Sequence, residues 1–215
     1  MDFRQFLTQG FVILDGATGS NLQRAGMQSG DCPELWITEH PDIFIDLQKQ
    51  YILAGSDVLY TPTFTSTSIK LSEYGLEDRQ EELIRRLVGL TKEAVRQSGT
   101  DRRIYLLGDI SMTGIQLEPV GSFPFEELVK VYKKQAALLA EAGVDGFAIE
   151  TMMSLQECRA ALLAAKETCD LPVMVTLTYQ PDGRTLYGTN PETAMVVLQA
   201  MGADAVGINC SAGPD

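Results

Sequence analysis

The chain has 215 residues, 45% apolar and 21% charged, an ordinary balance for a soluble globular protein of one large domain or two small ones. Its net charge of −12 argues against a nucleic-acid partner, because such binding relies on Lys and Arg neutralising phosphates. No apolar run approaches the roughly 18 residues of a membrane span, the first five residues lack the features of a secretory leader, and four scattered cysteines without a CxxC pair favour a reducing, cytoplasmic setting.

The first apolar run, Phe11–Asp15, reads as a strand that enters the turn Asp15-Gly-Ala-Thr-Gly-Ser20. Pro41–Ala54 carries Ile43, Phe44, Leu47 and Tyr51 at helical spacing, and Ser56–Thr61 is a second strand. Glu77–Gln97 repeats the helical pattern through Leu83, Ile84, Leu87 and Leu90, ahead of a third strand at Ile104–Asp109. Phe125–Ala142 is a helix with Pro124 near its start and Gly143 at its end, followed by a strand at Gly146–Glu150. Arg85-Arg86 and Lys133-Lys134 fall on these helices and read as solvated faces. Ser154-Leu-Gln-Glu157 is a capping box opening the next helix. Pro172–Thr178 is the fifth strand, Asn190-Pro191 opens the last helix, Gly202 closes it, and Ala205–Cys210 is the sixth strand.

Strand alternates with helix throughout, and most strands are continuous apolar runs, which predicts a parallel α/β architecture. Two arrangements compete. A doubly wound sheet would carry a phosphate loop after its first strand, but Asp15–Ser20 lacks the G-x-G-x-x-G spacing. The other is a (β/α)8 TIM-type barrel. The strands end in Asp15, Thr61, Asp109, Glu150, Thr178 and Asn209-Cys210, all polar, and a barrel would bring them to one mouth. The barrel is favoured, with about six of its eight units present.

Several chemistries can be set aside. His40 is the only histidine, so a His-rich metal site is impossible, and its place before Pro41 suits a capping or surface role. No lysine ends a strand, which argues against Schiff-base chemistry. What remains is carboxylates and one thiol. Asp15 and Glu150 suit an ammonium group or acid/base work, with a turn-forming role as the bland reading of Asp15. Asp109 fits a turn or a site equally well. Cys210 could be a small buried residue, a nucleophile for which no histidine serves as base, or a soft-metal ligand preferring zinc. Cys32, Cys158 and Cys169 lie away from strand ends and read as structural.

Four stretches carry a resemblance: Ile13–Ser20, Gly55–Phe64, Gly183–Thr189 and Gly207-Ile-Asn-Cys-Ser-Ala-Gly-Pro214. In order along essentially the whole chain, they resemble the homocysteine-binding barrel of the homocysteine S-methyltransferases, most of all the homocysteine module of cobalamin-dependent methionine synthases. The resemblance implies one barrel domain over residues 1–215 in which zinc is held by three cysteines, one from the Asn-Cys motif and two from a Gly-Gly-Cys-Cys pair. It makes Cys210 the first zinc ligand and the catalytic position. It places Asp15, Gly16 and Ala17 in the homocysteine pocket, Glu150 on the substrate's amino group, and Asn209 beside the metal. The expected reaction moves a methyl group from methylcobalamin, charged from 5-methyltetrahydrofolate, to the homocysteine thiolate. Cobalamin and folate would belong to other domains or subunits.

The sequence departs from the family in two places. Thr61-Pro-Thr-Phe64 replaces the usual Thr-Asn-Thr-Phe, and the last two strands with the Gly-Gly-Cys-Cys pair are not in the chain, so the domain is expected to be incomplete at its C-terminus. Two alternatives stay open: a betaine, S-methylmethionine or other donor–thiol pair on the same fold, and a non-catalytic incomplete barrel. Weak zinc binding, and either self-association through open barrel edges or marginal stability, are expected of the isolated chain.

Overall fold

The structure is a computed structural model that describes residues 2–211. Helices α1 (Phe3–Phe6), α2 (Gly19–Arg24), α3 (Pro33–Glu39) and α4 (Pro41–Ala54) precede strand β1 (Val58–Tyr60). Then come α5 (Ser68–Ser72), a 3-10 turn at Glu77–Arg79, α6 (Gln80–Ser98) and β2 (Tyr105–Ile110). Three further units follow: α7 (Phe125–Ala142) with β3 (Gly146–Met152), α8 (Leu155–Thr168) with β4 (Val173–Leu177), and α9 (Pro191–Ala200) with β5 (Ala205–Ile208).

The helix ends follow local chemistry. Pro41 sits in the first turn of α4, where its missing N–H costs nothing, and Gly55 takes the left-handed conformation after it (φ 115°). Gly143 does the same after α7 (φ 80°). Asn190 caps α9 by accepting from Thr193 N at 2.8 Å. Half of the expected capping box forms on α8: Ser154 Oγ accepts from Glu157 N at 3.3 Å. The Glu157 carboxylate instead turns inward and accepts from the Thr113 N–H and hydroxyl.

All five strands are parallel and lie in the order β1-β2-β3-β4-β5. A doubly wound sheet reverses its winding part-way, so this sequential order decides for a barrel wall. Among the described residues the wall is not closed. The expected strand at Phe11–Asp15 shrinks to a bridge between Leu14 and Val58, with Asp15 N donating to Val58 O at 3.0 Å. Phe11 is fully exposed and Ile13 is 53% exposed, so the run has one pairing neighbour and little burial to extend it.

Side-chain alternation divides each strand between two environments. Phe147, Ile149, Val173, Val175 and Leu177 face α7 and α8 in the main core. Val58, Tyr105, Leu107, Ala148 and Met174 face the lumen, with Phe3 of α1 among them. Phe3 and Phe6 lie against the Tyr105 ring, with centroids 5.1 and 4.8 Å apart, and fill the end of the lumen where the strands begin. A Cβ on Gly108 would stand 2.9 Å from Leu139 Cδ1, so that glycine sets the close approach of α7 to β2. Continuing the alternation by two residues puts Tyr60, Asp109, Glu150 and Thr176 on the lumen face at its other end.

Candidate active site at the carboxyl ends of the strands

The end of β3 is irregular. Its register with β4 shifts between Ile149 and Met152, and Thr151 lies there with a left-handed backbone (φ 56°). A β-branched residue in that region is an outlier, of the kind that gathers at functional sites. Cys210, just past β5, is the other non-glycine residue with positive φ (48°) among those described. The two face each other: the Thr151 hydroxyl donates toward Cys210 Sγ at 3.7 Å. Asn209 ties them together. Its Oδ1 accepts from Thr151 N at 3.0 Å, while its Nδ2 lies 2.8 Å from Thr151 Oγ1 and 2.6 Å from Glu150 Oε2. Nδ2 also stands 3.7 Å from Cys210 Sγ. The Asn209 carbonyl accepts from the hydroxyls of Thr178 (3.1 Å) and Ser211 (3.0 Å). A half-buried carboxylate and an exposed thiol are thereby held by one amide side chain.

Asp15 approaches from the opposite edge. One of its oxygens accepts from Tyr60 N at 3.0 Å, which fixes the carboxylate over the end of β1. The turn after it packs closely: a Cβ on Gly16 would come within 2.8 Å of the Tyr51 ring, so a larger residue would require that ring to move. The Ala17 carbonyl accepts from Tyr51 Oη at 2.9 Å and from Asn21 Nδ2 at 2.6 Å. Gly16 and Ala17 are exposed at the mouth.

The electrostatics are one-sided. Burial pushes the Asp15 carboxyl up to about 7, opposed by the Tyr60 N–H and reinforced by the charge of Glu150. Burial likewise lifts Glu150 to about 7. Asp109 is raised well above the carboxylate range, first by burial and then by Glu150 and Asp15. The Tyr60 phenol is raised by burial and by all three carboxylates. Among the described residues, none of the ion pairs includes Asp15, Asp109 or Glu150.

The strand-end residues therefore converge, though not all for the same purpose. Thr61 is buried and bonded to Thr63 Oγ1 at 2.8 Å and to Asp109 N at 3.2 Å, and Thr63 donates to Asp109 O at 2.8 Å. These hydroxyls hold the backbone of β2. His40 stacks on Trp36, with Nδ1 3.0 Å from the Trp36 carbonyl at the end of α3, as a capping residue would. Cys32 and Cys158 are buried, and Cys169 lies at the end of α8. A cavity of about 690 Å³ opens elsewhere, between the β2–α7 loop and α9, with a largely apolar lining that includes Leu117, Val120, Tyr187 and Val196. It touches none of the mouth carboxylates.

A family model described as homocysteine S-methyltransferase matches residues 12–215. The chain belongs to the homocysteine S-methyltransferase family. Two methionine synthases, from Mycobacterium tuberculosis (strain ATCC 25618 / H37Rv) and Mycobacterium leprae (strain TN), are each 27% identical over 225 residues, covering 99% of this chain. The chain spans 19% of the length of these relatives. Among solved structures, the homocysteine methyltransferase MmuM from Escherichia coli superposes with a TM-score of 0.78 in its metallated form, at 22% identity over 96% of this chain and 77% of that one. Its apo form gives 0.76 at 21% identity, over 98% and 76%. At that identity the likeness establishes the (β/α)8 barrel fold.

The family's expected metal can be tested against the donors present. Among the described residues no group of three or more His, Cys, Asp or Glu could hold a metal ion. Cys210 offers a single exposed soft donor, and Cys32, Cys158 and Cys169 are not gathered around it. The described residues thus do not by themselves make a zinc site. Thr151, Thr176 and Tyr60 are mouth residues that sequence reasoning missed. The signal for Thr176 and Tyr60 lay in strand alternation, whereas the backbone of Thr151 left none.

Proposed function

We propose that this chain is the homocysteine-binding part of an S-methyltransferase that converts homocysteine to methionine. The observation that supports this best is the Glu150–Asn209–Cys210 relay, in which one amide side chain links a carboxylate to a thiol. In this reading Glu150 receives the substrate's amino group, and a cation there draws its carboxyl from about 7 towards the ionised form. Asp15 and the turn at Gly16 and Ala17 form the facing wall. Asn209 fixes the distance between the amino-group site and the sulfur site. Cys210 is one zinc ligand and the catalytic position, its companion ligands coming from outside the described residues. Zinc, when bound, would keep the substrate sulfur as thiolate. In the overall reaction the substrate sulfur gains a carbon–sulfur bond as the donor–methyl bond breaks, and the thiol proton is released to solvent.

The methyl donor proposed is methylcobalamin, recharged from 5-methyltetrahydrofolate on other domains or subunits. This rests on the likeness to methionine synthases several times longer than this chain. A cytoplasmic location fits four free cysteines, and among the described residues no helix is long and apolar enough to cross a membrane. Association through the uncovered edges at Ile13-Leu14 and β5 fits their exposed apolar side chains. The test is methyl transfer from methylcobalamin to L-homocysteine by the intact protein. Cys210→Ala and Glu150→Gln should each lower the rate by about 100-fold. An unchanged rate in Cys210→Ala would overturn the reading.

A further inference from the structure

Asp109 belongs to neither the relay nor the Asp15 turn, yet it is the most buried of the three mouth carboxylates. It is 6% exposed, and its Oδ1, out of contact with solvent, has no hydrogen-bond partner among the described residues. Buried carboxylate oxygens are almost always partnered, because leaving one unpaired costs stability. The backbone around it is fully engaged: Thr61 Oγ1 takes its N–H, and Thr63 and Gln135 approach its carbonyl at 2.8 and 3.5 Å. The peptide is pinned while the carboxylate is left over. Two strands along, on β4, Thr176 Oγ1 is another buried polar atom without a hydrogen-bond partner among the described residues. β-strand alternation puts both on the lumen face with Glu150, since Asp109 pairs in register with Ala148 and Thr176 lies one residue beyond Val175, the partner of Ile149.

Three carboxylates thus lie at one end of the lumen with no ion pair among the described residues, and strand alternation places two buried acceptors, without hydrogen-bond partners among those residues, on the same face. We propose that Asp109 and Thr176 complete, with Glu150, a cation pocket that selects substrates bearing a free α-ammonium group. This rests on the homocysteine reading and sharpens it, making Asp109 a specificity-determining residue. An ammonium group has three N–H donors, and Asp109 Oδ1, Thr176 Oγ1 and Glu150 offer three acceptors from three adjacent strands. A des-amino thiol would leave those acceptors unpaired, and a site built to pair a polar group rejects a ligand that lacks it.

The experiment is calorimetric titration of the intact protein with three probes: L-homocysteine, L-2-aminobutanoate, which lacks the thiol, and 4-sulfanylbutanoate, which lacks the amine. Wild type should bind both amines and bind the des-amino thiol at least about tenfold more weakly than homocysteine. Asp109→Asn should weaken both amines about tenfold or more and leave the des-amino thiol unchanged. Thr176→Val should do the same to a smaller extent, which keeps the test open should one variant fold poorly. Equal binding of all thiols by wild type, an equal loss for all three probes in Asp109→Asn, no loss at all, or no binding of either amine would overturn the proposal. Failure of the homocysteine reading looks different: 2-aminobutanoate would bind as well as homocysteine, and methyl transfer would be missing, while the amine selectivity of Asp109 persisted.

Discussion

Two kinds of buried carboxylate occupy this barrel, and their partners set them apart. Glu34 and Glu157 are 1% and 2% exposed, and each sits in the first turn of a helix, α3 and α8. Each fastens a loop leaving a strand. Glu34 accepts from Thr65 N and Oγ1, both at 2.7 Å, and Glu157 takes the Thr113 N–H and hydroxyl and lies 2.8 Å from Tyr132 Oη. The helix N-terminus adds favourable field to both. Asp109 is comparably buried but keeps an oxygen without a partner among the described residues, beside two further carboxylates. Saturated carboxylates hold the mouth in shape. The lumen carboxylates lie near one another with no ion pair among the described residues, and the chain carries their crowding as a standing cost.

Removing a saturated group should do the most damage. Glu157→Ala strands the Thr113 N–H and hydroxyl and takes one acceptor from Tyr132, at about 1–3 kcal/mol for each stranded buried group. A loss of about 3–5 kcal/mol is expected in urea unfolding, with the slope unchanged. Glu34→Ala should behave alike. A loss under about 1 kcal/mol for either would place it with the lumen carboxylates. Asp109→Asn should change stability in the opposite direction. Relieving the crowding at Glu150 and Asp15 should add about 1 kcal/mol at pH 8, while amine binding falls. Destabilisation on the scale of Glu157→Ala would erase the distinction.

The pH dependence has a sign that follows from the same contrast. Asp15 and Glu150 rise to about 7 from ordinary values of 3.8 and 4.5. The groups facing them are Tyr60, Tyr51, Asp109 and Asn209, none of them cationic. The folded chain holds these protons more tightly than the unfolded one. That contribution is fully present below about pH 4 and is lost as pH rises through about 7. The melting temperature of wild type should therefore fall between pH 5 and 8 relative to the Asp15→Asn/Glu150→Gln double variant. A difference that grows the other way would mean that a cation neutralises the pair.

Much of the frame was legible because local rules agree with the global fold. α4 and α7 begin and end where the sequence puts them, with Pro41 at one start and glycines at both ends. The Phe11–Asp15 run failed as a strand because an apolar pattern records propensity and cannot record that, among the described residues, its ladder pairing is a single bridge to Val58. The short helices α2, α3 and α5 carry too few turns for a period to show. At the site, Asp15, Glu150, Asn209 and Cys210 could be named from the residue types that end strands. Glu157 was read as a capping residue because the pull of Thr113 comes from 44 residues away.

Thr151 tests the finest part of the contrast, since it is strained and bonded at once. Its left-handed backbone costs about 1–3 kcal/mol, and glycine would remove that strain. Glycine also frees the unfolded chain by about 1 kcal/mol and deletes the hydroxyl that meets Asn209 Nδ2 and Cys210 Sγ. These effects nearly cancel, so Thr151→Gly should alter unfolding free energy by less than about 1 kcal/mol. Thr151→Ser, which keeps the hydroxyl without the β-methyl, should be slightly more stable. Homocysteine binding should separate the two: the serine variant keeps wild-type affinity, and the glycine variant loses it because Asn209 no longer holds Glu150 and Cys210 at a fixed spacing. Equal affinities in both would reduce the Thr151 hydroxyl to packing and confine the relay to Glu150, Asn209 and Cys210.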